Sequence, residues 1–286
     1  MIKRIAITTL VLLVGYTLVI HFHNNALNSG QYSEQRNIIK AERYLYGNTD
    51  TLKGVIVGSS LAERIVVDSI SGIYNLAFGG YGAQDGLKIL LMKKKIPPFV
   101  FVETNFSFNH IRDDFQKNFD PNFEYPEKLY LPILRSENQP VSLALGQLRN
   151  RKKAKKIIDI SMNDTENSPL FTTMLGKQED LFNHPDTNKM KKTFLELKSY
   201  VNAIEKRGSK VYFLPMPVNK ALLDLPLSKA IRTGYARNFP DAKYVHIPDS
   251  LTSNFETADG IHLNEYSAWV LARYFRDYFY KRRVNN

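Results

Sequence analysis

Four short stretches of the chain carry residue types that together could perform acyl transfer. Gly58-Ser59-Ser60 follows one apolar run, Gly79-Gly80 follows a second and Asn105 ends a third, while Asp259 and His262 stand three residues apart near the C-terminus. A serine hydroxyl is a weak nucleophile that needs an imidazole as general base, and the imidazole needs a carboxylate to hold its tautomer. We therefore predict Ser60 as the nucleophile, His262 as the base and Asp259 as the carboxylate.

Acyl transfer from a serine also requires hydrogen-bond donors directed at the oxyanion of the tetrahedral intermediate. The predicted donors are the backbone N–H groups of Ser60 and Gly80 and the side-chain amide of Asn105. A glycine at position 80 suits a place where backbone closely approaches a substrate. Each signal alone has a plainer explanation, since small residues after a strand are ordinary in turns. Their joint occurrence at predicted strand ends and loops favours a catalytic site.

Short apolar runs alternate with amphipathic segments over much of the chain. The runs lack the in-out alternation of a one-sided sheet, which is typical of parallel strands covered on both faces. This pattern predicts an α/β fold with a mostly parallel sheet and helices on both faces, where ligands bind beyond the carboxyl ends of the strands. The predicted strands lie within 54–58, 73–78, 99–105, 210–217 and 243–247, and the clearest helices within 83–95, 187–208 and 264–283.

An uncharged apolar segment at residues 5–22 follows a basic tip, residues 1–4, that contains Lys3 and Arg4. As a helix it would be about 27 Å long, which is close to the thickness of a bilayer core. The basic residues before it predict a cytoplasmic N-terminus and an extracytoplasmic remainder. We predict an uncleaved single-pass anchor in a bacterial cytoplasmic membrane, with a cleaved signal peptide as the alternative.

The remaining organisation is a polar stalk over residues 23–50 and a catalytic domain over 51–286. Between residues 106 and 186 the strand-helix alternation stops, and we predict a mainly helical insertion there, because a structureless loop of that length is uncommon. The run 149–156 holds six Lys or Arg side chains. It is interpreted either as a solvated helix face or as a contact with anionic lipid or an acidic polymer.

The composition of the 286 residues excludes several classes of function. The chain has no cysteine, which rules out disulfides, thiolate metal sites, a cysteine nucleophile and a lipoprotein anchor. The formal charge of +11 favours anionic partners, but an exported domain makes nucleic acid an improbable one. Neither a zinc-ligand spacing nor a nucleotide-binding glycine loop is present in the sequence, so we predict no metal and no organic cofactor.

The four stretches resemble the sequence blocks of the SGNH (GDSL-type) hydrolases. The matching segments are Gly58-Ser59-Ser60-Leu61, Asn75-Leu76-Ala77-Phe78-Gly79-Gly80, Thr104-Asn105 and Asp259-Gly260-Ile261-His262-Leu263, within about residues 54–110 and 210–280. The resemblance implies a flavodoxin-like three-layer α/β/α domain that hydrolyses or transfers acyl esters without a cofactor. Two departures stand out. Ser59 replaces the family's usual aspartate, and Glu103 and Phe106 replace a glycine and an aspartate around Asn105.

An anchor, an exterior domain and a basic surface resemble the SGNH-like proteins that modify cell-envelope glycopolymers. The leading hypothesis is an anchored serine esterase or O-acyltransferase acting on such a polymer through an acyl-serine intermediate, with a membrane-bound O-acyltransferase as a candidate partner. One alternative is a catalytically silent protein that binds carbohydrate or assists assembly. Another is a phospholipid or lysophospholipid esterase that uses the same three residues.

Overall fold

The computed structural model describes residues 1–22, 30–67, 70–106, 108–109, 111–122, 124–155 and 168–284, and the side chains of 147, 149–155 and 282–284 are outside that description. The basic run 149–156 therefore lies outside the described side chains. In chain order the elements are α1 (Ile2–Phe22), α2 (Ser33–Tyr46), β1 (Gly54–Val57), α3 (Ser60–Glu63), β2 (Ile73–Asn75), α4 (Ala83–Met92), β3 (Phe99–Glu103), α5 (Asp113–Lys117), α6 (Glu124–Tyr130), α7 (Pro140–Lys155), α8 (Pro169–Asn183), α9 (Thr187–Lys206), β4 (Lys210–Leu214), α10 (Pro226–Asn238), α11 (Asp249–Thr252) and α12 (Glu265–Val284). Short 3-10 helices cover Pro132–Leu134, Ser136–Asn138 and Lys220–Leu222.

The described residues form two compact units, one from residues 1–47 and 113–159 and the other from 48–112 and 160–286. The second unit contains the sheet, whose four strands are all parallel and lie in the order β2-β1-β3-β4. Every residue of β1 and β3 is buried, as the continuous apolar runs predicted. The predicted α/β class with a parallel sheet is confirmed.

The predicted fifth strand, residues 243–247, is reduced to one rung. Tyr244 forms an isolated parallel bridge with Phe213, made by two backbone bonds: the Phe213 N–H donates to the Lys243 carbonyl, and the Val245 N–H to that of Phe213. The next rung would need an N–H at position 215 to donate to the Val245 carbonyl, and Pro215 has none. The apolar pattern thus located the chain beside β4 but overstated its regularity.

Aromatic side chains fasten helices to both faces of the sheet. On one face the Phe275 ring of α12 lies 4.8 Å from the Phe101 ring of β3. On the other face the Tyr235 ring of α10 lies 4.9 Å from Phe213 of β4 and 5.1 Å from Phe194 of α9. Helices on both sides of a parallel sheet are consistent with a three-layer α/β fold.

The first unit includes part of the segment expected to be a stalk. Helix α2 is amphipathic, and its Glu42 side chain is completely buried. The Glu42 carboxylate accepts the Ser136 N–H at 2.7 Å and pairs with Lys128 at 3.0 Å. The partners come from the predicted insertion, so residues 33–46 and 113–155 form one unit instead of a tether and a separate insertion.

Helix α1 is the one described helix long and apolar enough to cross a membrane. Its most apolar window of 18 residues has a mean hydropathy of 2.2, and 6% of that window is buried, which differs from the core helix of a water-soluble domain. Lys3 and Arg4 lie within its first turn.

Candidate active site

The nucleophile candidate, Ser60, lies at the start of α3, directly beyond the carboxyl end of β1. Ser59 caps this short helix, because its Oγ accepts the N–H of Leu61 at 3.2 Å. The chain therefore turns sharply out of the sheet and leaves the Ser60 side chain partly exposed at the strand end. Within the described part of the chain, no group accepts a hydrogen bond from the Ser60 backbone N–H.

Ser60, His262 and Asp259 form a continuous hydrogen-bonded relay. The Ser60 Oγ is 2.7 Å from His262 Nε2, and His262 Nδ1 is 2.7 Å from Asp259 Oδ2. An ionised carboxylate only accepts hydrogen bonds, so the proton of a neutral imidazole must lie on Nδ1. Nε2 is then free to accept the serine proton, which is the arrangement a general base requires.

Asp259 holds its own loop as well as the imidazole. Its second oxygen, Oδ1, accepts the backbone N–H groups of Ile261 at 3.1 Å and His262 at 2.8 Å. Burial alone would raise the pKa of Asp259, but the hydrogen bonds from the side chain and backbone of His262 outweigh it and lower the pKa to about 2. The carboxylate therefore stays ionised throughout the range in which the imidazole can act.

The loop carrying this pair is anchored on several sides. Thr257 and Leu263 form an antiparallel bridge across it, and Gly260 has a φ of +94°, a conformation that L side chains rarely adopt. Arg64 donates to the Leu263 carbonyl at 2.9 Å, and the Asn219 N–H donates to that of Gly260 at 2.8 Å. These contacts fix the approach of His262 to Ser60, and the sequence analysis did not identify Arg64 or Asn219.

Gly80 lies in the loop after β2, with a φ of +78° and no atom within 4 Å of where a Cβ would stand. This loop runs beside the nucleophile turn, since the Phe78 N–H donates to the Gly58 carbonyl at 2.9 Å. A glycine is favoured here by backbone conformation, and the space above it is open. The arrangement leaves room for a substrate beside the predicted oxyanion donor.

Asn105, the predicted oxyanion donor, is hydrogen-bonded to the loop after β4. Its Oδ1 accepts the Met216 N–H and its Nδ2 donates to the Met216 carbonyl, both at 2.8 Å. This reciprocal pair fixes the plane of the amide against the loop after β4. Because the amide nitrogen carries two hydrogens, one remains for an oxyanion.

Glu103, two residues before Asn105, has hydrogen-bond partners in the loops after β1 and β3. It is buried at the end of β3, where its Oε2 accepts the Ser59 N–H at 2.6 Å and its Oε1 accepts the Phe106 N–H at 2.9 Å. Burial raises the pKa of Glu103, and hydrogen bonds from Ser59 and from the backbone of Phe106 and Asn105 oppose that rise. The carboxylate thus joins the nucleophile turn to the Asn105 loop.

Gly58 leaves the space that the Glu103 side chain occupies. A Cβ at position 58 would lie 2.5 Å from the Glu103 Cβ and 2.8 Å from its Oε2. The glycine before the two serines is therefore required by Glu103 across the strand pair.

Helix α8, from the C-terminal part of the predicted insertion, contacts both loops of the site. A Cβ at Gly260 would come within 2.8 Å of the Leu175 side chain, and Phe182 packs edge-on against Phe106 with ring centroids 6.5 Å apart. Among the described residues, no group of three or more His, Cys, Asp or Glu side chains is arranged to hold a metal ion.

No protein-family model matches the chain, and no curated protein shows significant similarity to it. A search of solved structures finds a Streptococcus pneumonia protein provisionally described as a platelet activating factor. It is 13% identical, with a TM-score of 0.45, and the match covers 86% of this chain and 92% of that one. A likeness this distant carries no argument about fold or activity.

The first prediction concerns Glu103→Gln. A glutamine cannot accept a hydrogen bond at both ends, so one of the two N–H groups would face an amide donor, at a cost of about 1–3 kcal/mol. We expect a lower urea midpoint together with slower reaction of Ser60 with a serine-directed reagent. Glu205→Gln, an exposed exchange of the same kind in α9, should change stability by less than about 0.5 kcal/mol. Equal behaviour of the two variants would contradict the assigned role of Glu103.

The second prediction uses the depressed pKa of Asp259. A carboxylate whose folded pKa lies below its unfolded value of 3.8 stabilises the fold fully above that pH, and the contribution is lost as the pH falls towards 2. The difference in unfolding free energy between the wild type and Asp259→Asn should narrow as the pH falls from about 4 towards 2. Urea titrations at several pH values in this range measure the difference, and a gap that widens there would contradict the account.

Proposed function

We propose that the chain is a membrane-anchored serine esterase or O-acyltransferase with a flavodoxin-like SGNH fold and Ser60, His262 and Asp259 as its catalytic residues. The observation that carries the proposal is the unbroken relay from Ser60 Oγ through His262 to Asp259, with both links at 2.7 Å. The strand order β2-β1-β3-β4 agrees with the first four positions of a flavodoxin-like sheet. The relay also favours an enzyme over a silent binding protein, since binding alone requires no aligned base.

The chemistry follows from the relay. The Ser60 oxygen would attack the acyl carbonyl carbon while His262 takes the serine proton. Collapse of the tetrahedral intermediate would break the ester bond, and His262 would return the proton to the leaving alcohol. Water or a sugar hydroxyl would then attack the acyl-serine with His262 again as base. Collapse of the second tetrahedral intermediate would break the bond between the acyl group and Ser60, and His262 would return the proton to the Ser60 oxygen. The Ser60 and Gly80 N–H groups and the second amide hydrogen of Asn105 would stabilise each oxyanion.

Hydrolysis and transfer use the same residues, and exclusion of water from the acyl-serine decides between them. Helix α8, which packs on the loops of Gly260 and Phe106, is the element we propose to shape the acceptor side. In the transfer reaction a membrane-bound O-acyltransferase would serve as the acyl source. The exterior location of the domain is part of the proposal and rests on Lys3 and Arg4 preceding the apolar helix.

An exposed aromatic pair that follows His262 along the chain supports a glycopolymer as substrate. The rings of Tyr266 and Trp269 stack with centroids 6.4 Å apart, and Trp269 is half exposed, with the Arg273 guanidinium 4.7 Å from its ring centre. The pair lies on the first turns of α12, only a few residues after His262. A large apolar ring left in water at such a place is typical of a binding surface, and sugar faces stack on rings of this kind.

The third prediction separates an enzyme from a binding protein. Ser60→Ala should lower the hydrolysis of a small acetyl ester by roughly 10³-fold or more, because no other group replaces the nucleophile. Its affinity for an acylated envelope polysaccharide should stay near that of the wild type. A wild type that binds the polymer but shows no Ser60-dependent turnover would contradict the enzyme hypothesis.

The fourth prediction tests the substrate class. Trp269→Ala should raise the KM for an acylated polysaccharide several-fold while leaving turnover of a small acetyl ester unchanged, because the ring takes no part in the relay and is half exposed. Leu195→Ala, which truncates an exposed apolar side chain of α9, is the matched control and should leave both values unchanged. Unchanged kinetics of Trp269→Ala on the polymer would count against sugar stacking.

A further inference from the structure

The first unit has an exposed apolar surface formed by six consecutive uncharged residues, Leu129-Tyr130-Leu131-Pro132-Ile133-Leu134. We refer to them as the apolar segment. Tyr130 is 79% exposed, Leu131 50%, Leu134 44% and Leu129 41%. Contiguous apolar side chains of this kind mark an interaction surface in a folded protein.

The apolar segment lies beside helix α1 instead of beyond its end. Its 3-10 helix, Pro132–Leu134, packs against α1. Tyr16 donates a hydrogen bond to the backbone carbonyl of Asn138 at 2.5 Å, and Ile20, one turn further along α1, is buried. Tyr16 precedes the last residue of α1, Phe22, by six residues, or about 9 Å of helix. If α1 spans a bilayer to Phe22, the apolar segment lies at the depth of the helix's last turns.

The backbone of the apolar segment is suited to such a place. The Leu131 N–H donates to the Glu127 carbonyl at 2.8 Å and the Leu134 N–H to that of Leu131 at 2.9 Å. Asn138 Nδ2 donates to the Pro132 carbonyl at 2.7 Å, and Pro132 has no N–H. A segment that enters hydrocarbon must satisfy its polar backbone groups within the protein.

The charged residues that flank the apolar segment are directed into the first unit. Lys128 pairs with the buried Glu42 at 3.0 Å, and the Arg135 guanidinium lies 4.7 Å from the centre of the Tyr46 ring. The exposed surface between them is therefore apolar without interruption.

We propose that the apolar segment inserts into the lipid leaflet nearest Phe22, so that the first unit is seated in the membrane and not tethered above it. The contact of Tyr16 with Asn138, four residues after the apolar segment, lies about 9 Å along α1 from Phe22. This distance is comparable with the roughly 5–10 Å by which interfacial elements enter the headgroup and acyl boundary. Lipid is favoured over a second protein as the occupant because the surface is continuous with the membrane helix. The inference rests on the anchoring contained in the proposed function and is independent of the catalytic chemistry.

The absence of cysteine from the chain allows a direct test with single-cysteine variants of the full-length protein. Leu131→Cys reports on the apolar segment, Thr8→Cys on the first half of α1, and Asn122→Cys on an exposed polar turn of the same unit. Each is labelled with an environment-sensitive fluorophore in vesicles of phosphatidylethanolamine and phosphatidylglycerol. Quenching is measured with aqueous iodide and with lipids that carry a nitroxide on the acyl chain.

We expect labels at positions 131 and 8 to be quenched by the nitroxide lipid and to be several-fold less sensitive to iodide than the label at 122. Shielding at position 8 with full iodide access at 131 would overturn the insertion and leave the anchor intact. Iodide access at position 8 would overturn the anchoring itself, and with it the insertion. Shielding of position 131 from both quenchers would show that a second copy of the chain covers the segment, which also overturns the proposal.

Discussion

A carboxylate buried between neighbouring strand ends must accept hydrogen bonds. The backbone groups that donate to Glu103 lie in two different loops. The Ser59 N–H at 2.6 Å and the Phe106 N–H at 2.9 Å bind its two oxygens. Since an unpaired buried carboxylate is costly, the loops after β1 and β3 cannot move apart without losing these bonds. The position of Ser60 relative to Asn105 depends on this one side chain.

The same constraint explains the residue types around the nucleophile turn. The carboxylate that holds this turn stands at position 103 on the neighbouring strand, and position 59 is a serine. Gly58 leaves the room that Glu103 needs. The turn that presents Ser60 is therefore held from the neighbouring strand.

The sequence was sufficient to predict the elements whose signal is local. Continuous apolar runs located β1 to β4, and helical periodicity located α4, α9 and α12. The pairing of Asp259 with His262 was also predictable, because three residues of one tight loop bring the two side chains together. Strand-end logic placed Ser60 near that loop, although only the fold brings Nε2 to within 2.7 Å of its hydroxyl.

What the sequence could not provide were partners distant along the chain. Three contacts join segments that no periodicity connects. They are the hydrogen bonds to Glu103, the pairing of Asn105 with Met216, and the contacts of the buried Glu42 with Lys128 and Ser136. For the same reason residues 33–46 were interpreted as stalk, because the polar side chains of α2 look solvated until their partners are known. Pro215, directly after β4, limited the fifth strand because it has no backbone N–H, an effect that the apolar pattern does not register.

The central claim is that Ser60 is activated by His262 and Asp259, and intact-mass measurement after exposure to a serine-directed fluorophosphonate tests it most directly. The full-length protein in detergent would be compared with Ser60→Ala and with Ser253→Ala, which removes an exposed serine hydroxyl elsewhere in the second unit. The account predicts a single phosphonyl adduct on the wild type and on Ser253→Ala, and none on Ser60→Ala. An unlabelled but folded wild type, or an adduct that persists in Ser60→Ala, would contradict it.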